Sequence, residues 1–432
     1  MGVRVGAVGE GPRRSGLEPS MSEISLGRAR RAILWATGLD RRVKLPKGAS
    51  GAKAAIERLG YLQMDTIAVV ERAHHHQLWS RVTGYEPAIL DRLLAVDKHL
   101  FEGLTHVASY IPMEDYRYHL RAMRRRHRGG RVAEWLEENA GIVGHVVDRI
   151  TKEGGLSSSQ FEDPPGTARP SSWFPGKACR FALERLWERG ELMVSERRSG
   201  QRVYDLPERV LPGGLDTTEP PEDEVARFVV RRRLGAGGVV RAPMTTGPRR
   251  WGAVSAEALD AAINDLTSEG EAVQVAVDSA RGTEYLALTR VLDETPAQPL
   301  RKRRMRILSP FDPVVAERSR VGDIFGFDYK LEAYTPAKKR RFAHFTLPLL
   351  WGEDFVGRLD AKAERKARQL VARNVWLEPG VDPSDELAAA LAEELRAFAA
   401  FNDCPEGRLV GTEDPELQRR LRAALAQEAA PA

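Results

Sequence analysis

Cysteine is nearly missing from this chain: Cys179 and Cys404 are the only two in 432 residues. Two thiols cannot build a disulfide framework or a four-cysteine zinc site, and they fit a reducing compartment. Long apolar runs are missing too. A stretch such as Thr346 to Trp351 falls far short of the ~20 residues a membrane helix requires, and the amino-terminus carries no apolar signal-peptide core. Lysine is scarce: 12 of the 66 basic side chains, against 54 arginines. The net charge is only +5, and 42% hydrophobic with 29% charged residues leaves ample material for buried cores. A single core rarely grows past roughly 250–300 residues, so two to four domains are expected. The expectation is a soluble cytoplasmic protein, monomeric and without membrane partners.

What is present is arginine in knots. They are Arg117 to Arg131 (RYHLRAMRRRHRGGR), Arg231 to Arg233, Arg301 to Arg306 (RKRRMR) and Lys338 to Arg341 (KKRR). A GC-rich genome enriches arginine everywhere, and any one knot reads equally as a solvated face. Four knots in one chain point instead to a polyanionic partner, because the planar guanidinium fork matches phosphates and guanine edges.

The fold class expected is α+β, tandem winged helix-turn-helix modules followed by a β-rich C-terminal domain. Residues 142–206 carry the pattern most clearly. A helix at Ile142 to Ile150 is followed by hydroxyl caps for a short second helix around Ser157 to Ser159, and a loop holding Pro164, Pro165 and Pro170. A third helix at Lys177 to Arg189 then leads into a ribbon, Leu192 to Val194 and Arg202 to Leu206, across a turn at Arg197 to Gly200. The same order recurs as helix Glu222 to Leu234, a turn-rich Pro243 to Gly247, helix Ala256 to Ser268, and strands Ala272 to Val277 and Glu284 to Thr289 about a turn at Ser279 to Gly282. Leu26 to Leu39 and Ala52 to Leu59 open a further, modified copy. Strands are expected at Gly322 to Ala333, Phe342 to Leu350 and Phe355 to Leu359, and a final helix at Asp385 to Phe401. The boundaries implied are a disordered extension at 1–21, modules at 22–130, 131–215 and 216–298, the β-rich domain at 299–405, and a mobile tail at 406–432.

Three such modules plus a β-domain exceed what a transcription factor needs, and one segment offers chemistry. In Leu59 to Val82 (LGYLQMDTIAVVERAHHHQLWSRV) the side chains of Gln63 and Asp65 share one face of an extended strand, with Leu62 and Met64 on the core side. An amide beside a carboxylate can orient a water and stabilise developing positive charge, although such a triplet also arises by chance. His74-His75-His76 resembles a metal signature, but on a strand three adjacent histidines face alternate sides and no partner follows at zinc spacing. Neither metal nor cofactor is expected. Cys179 reads as a small core residue, and Gly235 to Gly238 as a loop, since no Gly-Lys-Ser/Thr sequel follows.

The segment resembles the YcaQ/AlkZ family of bacterial DNA glycosylases. Further stretches carry the likeness: Trp173 to Leu211, Ile307 to Pro313 (ILSPFDP), Phe325 to Pro336 (FGFDYKLEAYTP), Leu347 to Leu350 and Val356 to Lys362 (VGRLDAK). It runs from about Ser22 to Phe401. The resemblance implies tandem winged helices, activity on alkylated bases, and an active site at Gln63-Met64-Asp65, of the Gln-apolar-Asp kind associated with unhooking interstrand crosslinks. Alkylation at guanine N7 makes the base cationic, so it leaves neutral without a general acid. Asp65 would then stabilise the oxocarbenium-like sugar while Gln63 holds the attacking water, with no lysine nucleophile beside the motif. The expected product is an abasic site. The expected partner is double-stranded DNA with alkylated or crosslinked guanine, gripped by Arg81, Lys177, Arg180, Arg197, Arg198 and Arg202, with His106 as a candidate lesion contact and a core position as its other reading. Departures exist: Leu104-Thr105-His106-Val107 keeps only the histidine of the family's usual Trp-Ala-His, and Ala316-Glu317-Arg318 stands where Trp-Asp-Arg is common. A non-catalytic winged-helix regulator and an interaction scaffold are the competing readings.

Overall fold

The computed structural model describes residues 22–165, 167, 176–243, 253–278 and 282–427. The expected disordered extension, Pro170 to Trp173 of the proline-rich loop, most of the Pro243–Gly247 turn and Ser279–Arg281 lie outside the described residues. Strand β1 is Ser22–Ile24, β2 Leu62–Gln63, β3 Leu100–Leu104 and β4 Ala108–Pro112. Next come β5 Leu156–Ser157, β6 Met193–Arg198, β7 Gln201–Asp205, β8 Val240–Arg241, β9 Ala272–Val277 and β10 Tyr285–Leu288. The last five are β11 Met305–Ile307, β12 Thr346–Trp351, β13 Asp354–Glu364, β14 Gln369–Leu377 and β15 Glu406–Leu409.

One topology occurs three times among the described residues. A helix leads to a two-residue strand; one or more helices or helical turns later, a hairpin follows, and the short strand pairs with the hairpin's second strand. The sheets run β2-β4-β3, β5-β7-β6 and, with β1 added at its edge, β1-β9-β10-β8. Local chemistry accounts for the pieces. Ser255 caps the helix Ala256–Ser268 by accepting from the Ala258 N–H. The helix Ala178–Glu188 is capped from 15 residues upstream, where Asp163 accepts from the Ala178 and Cys179 N–H groups at 2.7 and 2.8 Å. The β6–β7 turn takes positive φ at both Ser199 and Gly200, the geometry that a two-residue hairpin needs to follow strand twist.

The short second helix expected near Ser157 is instead β5 with a single 3₁₀ turn, Ser158–Gln160. Gly322 to Ala333 is not a strand. A helix, Arg318–Phe325, ends at Gly326 in the left-handed region. Phe327, Tyr329 and Leu331 then alternate inward with no ladder of their own; the Tyr329 hydroxyl donates to Thr346 O at 2.7 Å. Alternation is therefore correct there, but the segment reaches the sheet through a side-chain donor, the Tyr329 hydroxyl, and not through a backbone ladder. The tail past Gly407 is structured as well. β15 pairs in parallel with β14, and the helix Pro415–Ala426 buries Leu417 and Leu421 against the apolar core that includes Asp385–Phe401.

The helix Leu26–Ala36 does not share the core of the segment that follows it. Ile33 and Leu34 join Val321, Phe325 and Phe355 in the core of the C-terminal sheet, and β1 pairs in parallel with β9. An amphipathic stripe specifies that a face is buried, not against what. The first two repeats meanwhile share one core, from Ile56 and Leu62 to Leu183 and Tyr204.

The first repeat is joined to the C-terminal sheet through the helix Ala73–Trp79. Arg81, just past its end, makes a bidentate pair with Asp312 at 2.7 and 2.9 Å, both side chains wholly out of solvent. Its remaining N–H groups donate to Thr37 O at 2.6 Å and Gln77 O at 2.9 Å. One turn back, the His76 Nε2–H donates to Ile307 O at 2.8 Å, and Trp79 stacks on Phe401 at 5.1 Å. The triple histidine is thus helical, with His74 and His76 buried and His75 half-buried, not on a strand. Burial holds the His76 and His119 imidazoles down to about 4 and lowers His74 and His75 as well.

Two outcomes are expected. Unfolded histidines titrate near 6.5 while these stay neutral in the fold, so the unfolded state binds protons first as pH falls. Stability is therefore complete above about 6.5 and is lost progressively down to about 4. Urea midpoints measured across that interval should fall with each step, His76 alone contributing on the order of 3 kcal/mol. Arg81→Ala, which strands the Asp312 carboxylate in the interior, should cost on the order of 3–5 kcal/mol, read as a lower urea midpoint at unchanged slope.

Candidate active site

Strand β2 brings the Gln63-Met64-Asp65 segment onto the β3–β4 hairpin. The ladder pairs Leu62 with Tyr110 and Gln63 with Ser109, and the Met64 N–H donates to Ala108 O at 2.9 Å. Leu62 is fully buried, and Met64 packs against the same core. With a period of two, Gln63 and Asp65 then fall on the opposite face, and both are partly exposed. The chain turns at once: Asp65 Oδ1 accepts from the Ile67 N–H at 2.6 Å, a side-chain-closed turn typical of aspartate. Partial burial moves the Asp65 carboxyl above its ordinary value, and the Ile67 N–H opposes that shift by favouring the charged form.

The loop beyond Asp65 is held from the other side. The Ala363 N–H donates to Val69 O at 2.9 Å, and Arg365 donates to Ala68 O and Val70 O at 3.2 and 3.0 Å. Asp65 therefore sits at the seam between the first repeat and the C-terminal sheet.

A buried carboxylate that sequence reasoning missed ties in the second repeat. Glu102, on β3, is fully buried and pairs with both Arg197 and Arg202 of the β6–β7 hairpin. The Arg197 guanidinium also lies 3.4 Å from Met64 Sδ. Arg202 stacks 4.0 Å over Trp187, whose Nε1–H donates to Glu102 O at 3.0 Å. The hairpin is thereby locked against the back of the motif. Nothing in the local sequence marks Glu102, which sits in an otherwise apolar strand; its partners lie about 100 residues on.

The remaining designated residues fall into two groups. Arg81 is corrected outright: with its side chain sealed against Asp312 it cannot reach a phosphate. Arg197 and Arg202 are mostly buried on Glu102 and act as internal ties. Lys177, Arg180 and Arg198 remain at the surface, 44%, 55% and 58% exposed, each beside one carboxylate, Glu162, Glu184 and Glu196. His106 is not a core residue. It is exposed in the β3–β4 turn, edge-on to Tyr61 at 5.6 Å, at the end of the ladder from which Asp65 emerges. Cys179 is buried, its thiol pushed up to about 12 by burial and then by Asp163. Among the described residues no group of three or more His, Cys, Asp or Glu side chains could hold a metal ion; His75 Nδ1 is engaged by the Tyr85 hydroxyl at 2.7 Å.

In sum chemistry, the site offers a half-buried carboxylate with one oxygen fixed, an amide beside it and an exposed imidazole nearby. No described helix is long and apolar enough to cross a membrane. In a comparison with solved structures, the fold is similar to that of the DNA glycosylase AlkZ of Streptomyces sahachiroi. The match has a TM-score of 0.61 at 16% identity and covers 90% of this chain and all of the other. The family model for AlkZ-like DNA glycosylases matches residues 56–401, a span that takes in the motif, the three hairpins and every strand of the C-terminal sheet except β15. The chain belongs to the AlkZ-like family of DNA glycosylases.

Proposed function

We propose that this enzyme hydrolyses the N-glycosidic bond of N7-alkylated purines in double-stranded DNA, interstrand crosslinks included, with Asp65 and Gln63 as its catalytic pair. The observation that carries the reading is the placement of Asp65. Its carboxylate is held by the Ile67 N–H through one oxygen, partly exposed beside Gln63, and follows directly on the short ladder of β2 with β4. In the reaction the C1′–N9 bond breaks and its electron pair passes to the cationic purine, which departs neutral. Asp65 stabilises the positive charge left on the sugar. A water held by Gln63 adds its oxygen to C1′ and gives up a proton, leaving an abasic site. A crosslinked base is tethered to the opposite strand and cannot swing into a closed pocket, and a motif left partly exposed suits such a substrate.

In this reading the three repeats are winged helices, and the helix Ala178–Glu188 with its hairpin tip supplies phosphate contacts from Lys177, Arg180 and Arg198. Arg197 and Arg202 serve as positioning residues through Glu102. His106, exposed beside the motif, contacts the lesion.

Asp65→Asn preserves the acceptor for the Ile67 N–H and removes the charge. Single-turnover release of 7-methylguanine from an oligonucleotide should slow by roughly 10²–10³, with duplex affinity within about twofold of the parent. Equal rates would remove Asp65 from the chemistry. Because burial raises its carboxyl, the parent's rate should fall on acidification with a midpoint above the ~3.9 of free aspartate, and Asp65→Asn should lose that limb. Replacing Arg180 and Arg198 together by Ala should reduce the slope of log Kd against log salt by about two, close to one for each phosphate contact; an unchanged slope would take both off the DNA.

A further inference from the structure

A groove of about 670 Å³ opens on the far side of the loop that follows Asp65. Ala68 and Val69 form one wall, the 337–345 segment another, and β13 with β14 the floor. Its ionisable lining is overwhelmingly basic: Arg340, His344, Lys362, Arg365 and Arg373 against one half-buried carboxylate, Asp360. Among the described residues neither Arg340 nor Arg373 forms an ion pair with a carboxylate. Arg340 instead donates to Thr335 O at 2.8 Å, folding its own loop over the groove. Phe342 adds an aromatic edge. Three residues before the wall begins, Tyr334 is 89% exposed, one of very few large apolar side chains so placed among the described residues, and Lys338 and Lys339 follow in the 3₁₀ turn Ala337–Lys339.

We infer that this groove holds a short unpaired stretch of one DNA strand beside the damaged nucleotide, its phosphates on Arg340 and Arg373 and one base stacked on Tyr334. The inference rests on the glycosylase reading above for its choice of DNA. Cationic walls with an exposed ring are what sequence-independent single-strand sites use, since every base offers a π-face. The volume is that of a small-ligand pocket, room for a few nucleotides and not a duplex. The groove's wall begins at Ala68, three residues and so at most about 11 Å of chain from Asp65, within reach of the nucleotides flanking one held at the motif.

The test compares a blunt duplex with the same duplex bearing a short single-stranded oligothymidine extension, by fluorescence anisotropy on the full chain over a range of salt. The parent should bind the extended duplex about tenfold more tightly. Tyr334→Ala and Arg373→Glu, both at exposed positions outside any described ion pair, should each remove most of that gain, while blunt-duplex affinity moves by less than twofold. In Arg373→Glu the salt slope for the extended duplex should also drop by about 0.7 or more. No gain from the extension in the parent, or equal losses on both DNAs, would overturn the inference; the second would make the groove part of a duplex-binding face. Base release by the parent is read in parallel. Release without an extension effect defeats the groove alone, and an extension effect without release defeats the glycosylase reading alone.

Discussion

The arrangement of this protein depends on a buried ion pair at the meeting point of three segments. Arg81 satisfies Asp312 with both arms of its fork, and also the end of the helix Leu26–Ala36 and the helix Ala73–Trp79. Asp312 in turn caps the short helix Pro313–Ala316. A charge this far from water is tolerated only when its geometry is complete, which leaves the first repeat and the C-terminal sheet a single way to meet. The chain from Gln63 to Val70 runs across that seam, its motif paired to β4 and the loop beyond Asp65 held from the other side by the Ala363 N–H and Arg365. Its precision comes from these outer contacts, because two residues of strand are too few to define an orientation.

Arginine is the connecting material elsewhere as well. Arg197 and Arg202 close the second repeat onto Glu102. Arg320, 2% exposed, donates to Gly237 O and to Pro313 O, joining the third repeat to the C-terminal sheet. Arg358 bridges Glu378 and Asp328 O. A guanidinium reaches several acceptors at once in a fixed plane, and carbonyls at helix and strand ends are abundant where elements meet. A high arginine content is thus divided between inward ties and an outward cationic surface, and composition reports only the sum.

Much of the fold was legible locally. The helices Ala178–Glu188, Ala256–Ser268 and Asp385–Phe401 and the β6–β7 and β9–β10 hairpins follow from capping residues, turn residues and periodicity, all properties of a few neighbouring positions. The failures share one cause. Leu26–Ala36, the 322–333 segment, His74 to His76 and the tail after Gly407 each have the expected polarity pattern, yet their state is decided by a partner more than 200 residues away or by whether a ladder partner exists. His74 to His76 is the clearest instance. Adjacent histidines have no period to distinguish a strand from a helix, and only the acceptor at Ile307 and the ring of Phe398 explain why the segment is buried.

For the candidate site, the sequence by itself determined the type of chemistry: an amide and a carboxylate two apart, with apolar neighbours that turn one face inward, within a chain rich in phosphate-matching side chains. Side-chain alternation is a local rule and needs no knowledge of the fold. Only the tertiary structure decided which arginines remain at the surface and which are tied inward, that His106 stands exposed beside the motif, and that Glu102 secures it from behind. Those are matters of burial and ion pairing between segments far apart in the chain, and no local pattern encodes them.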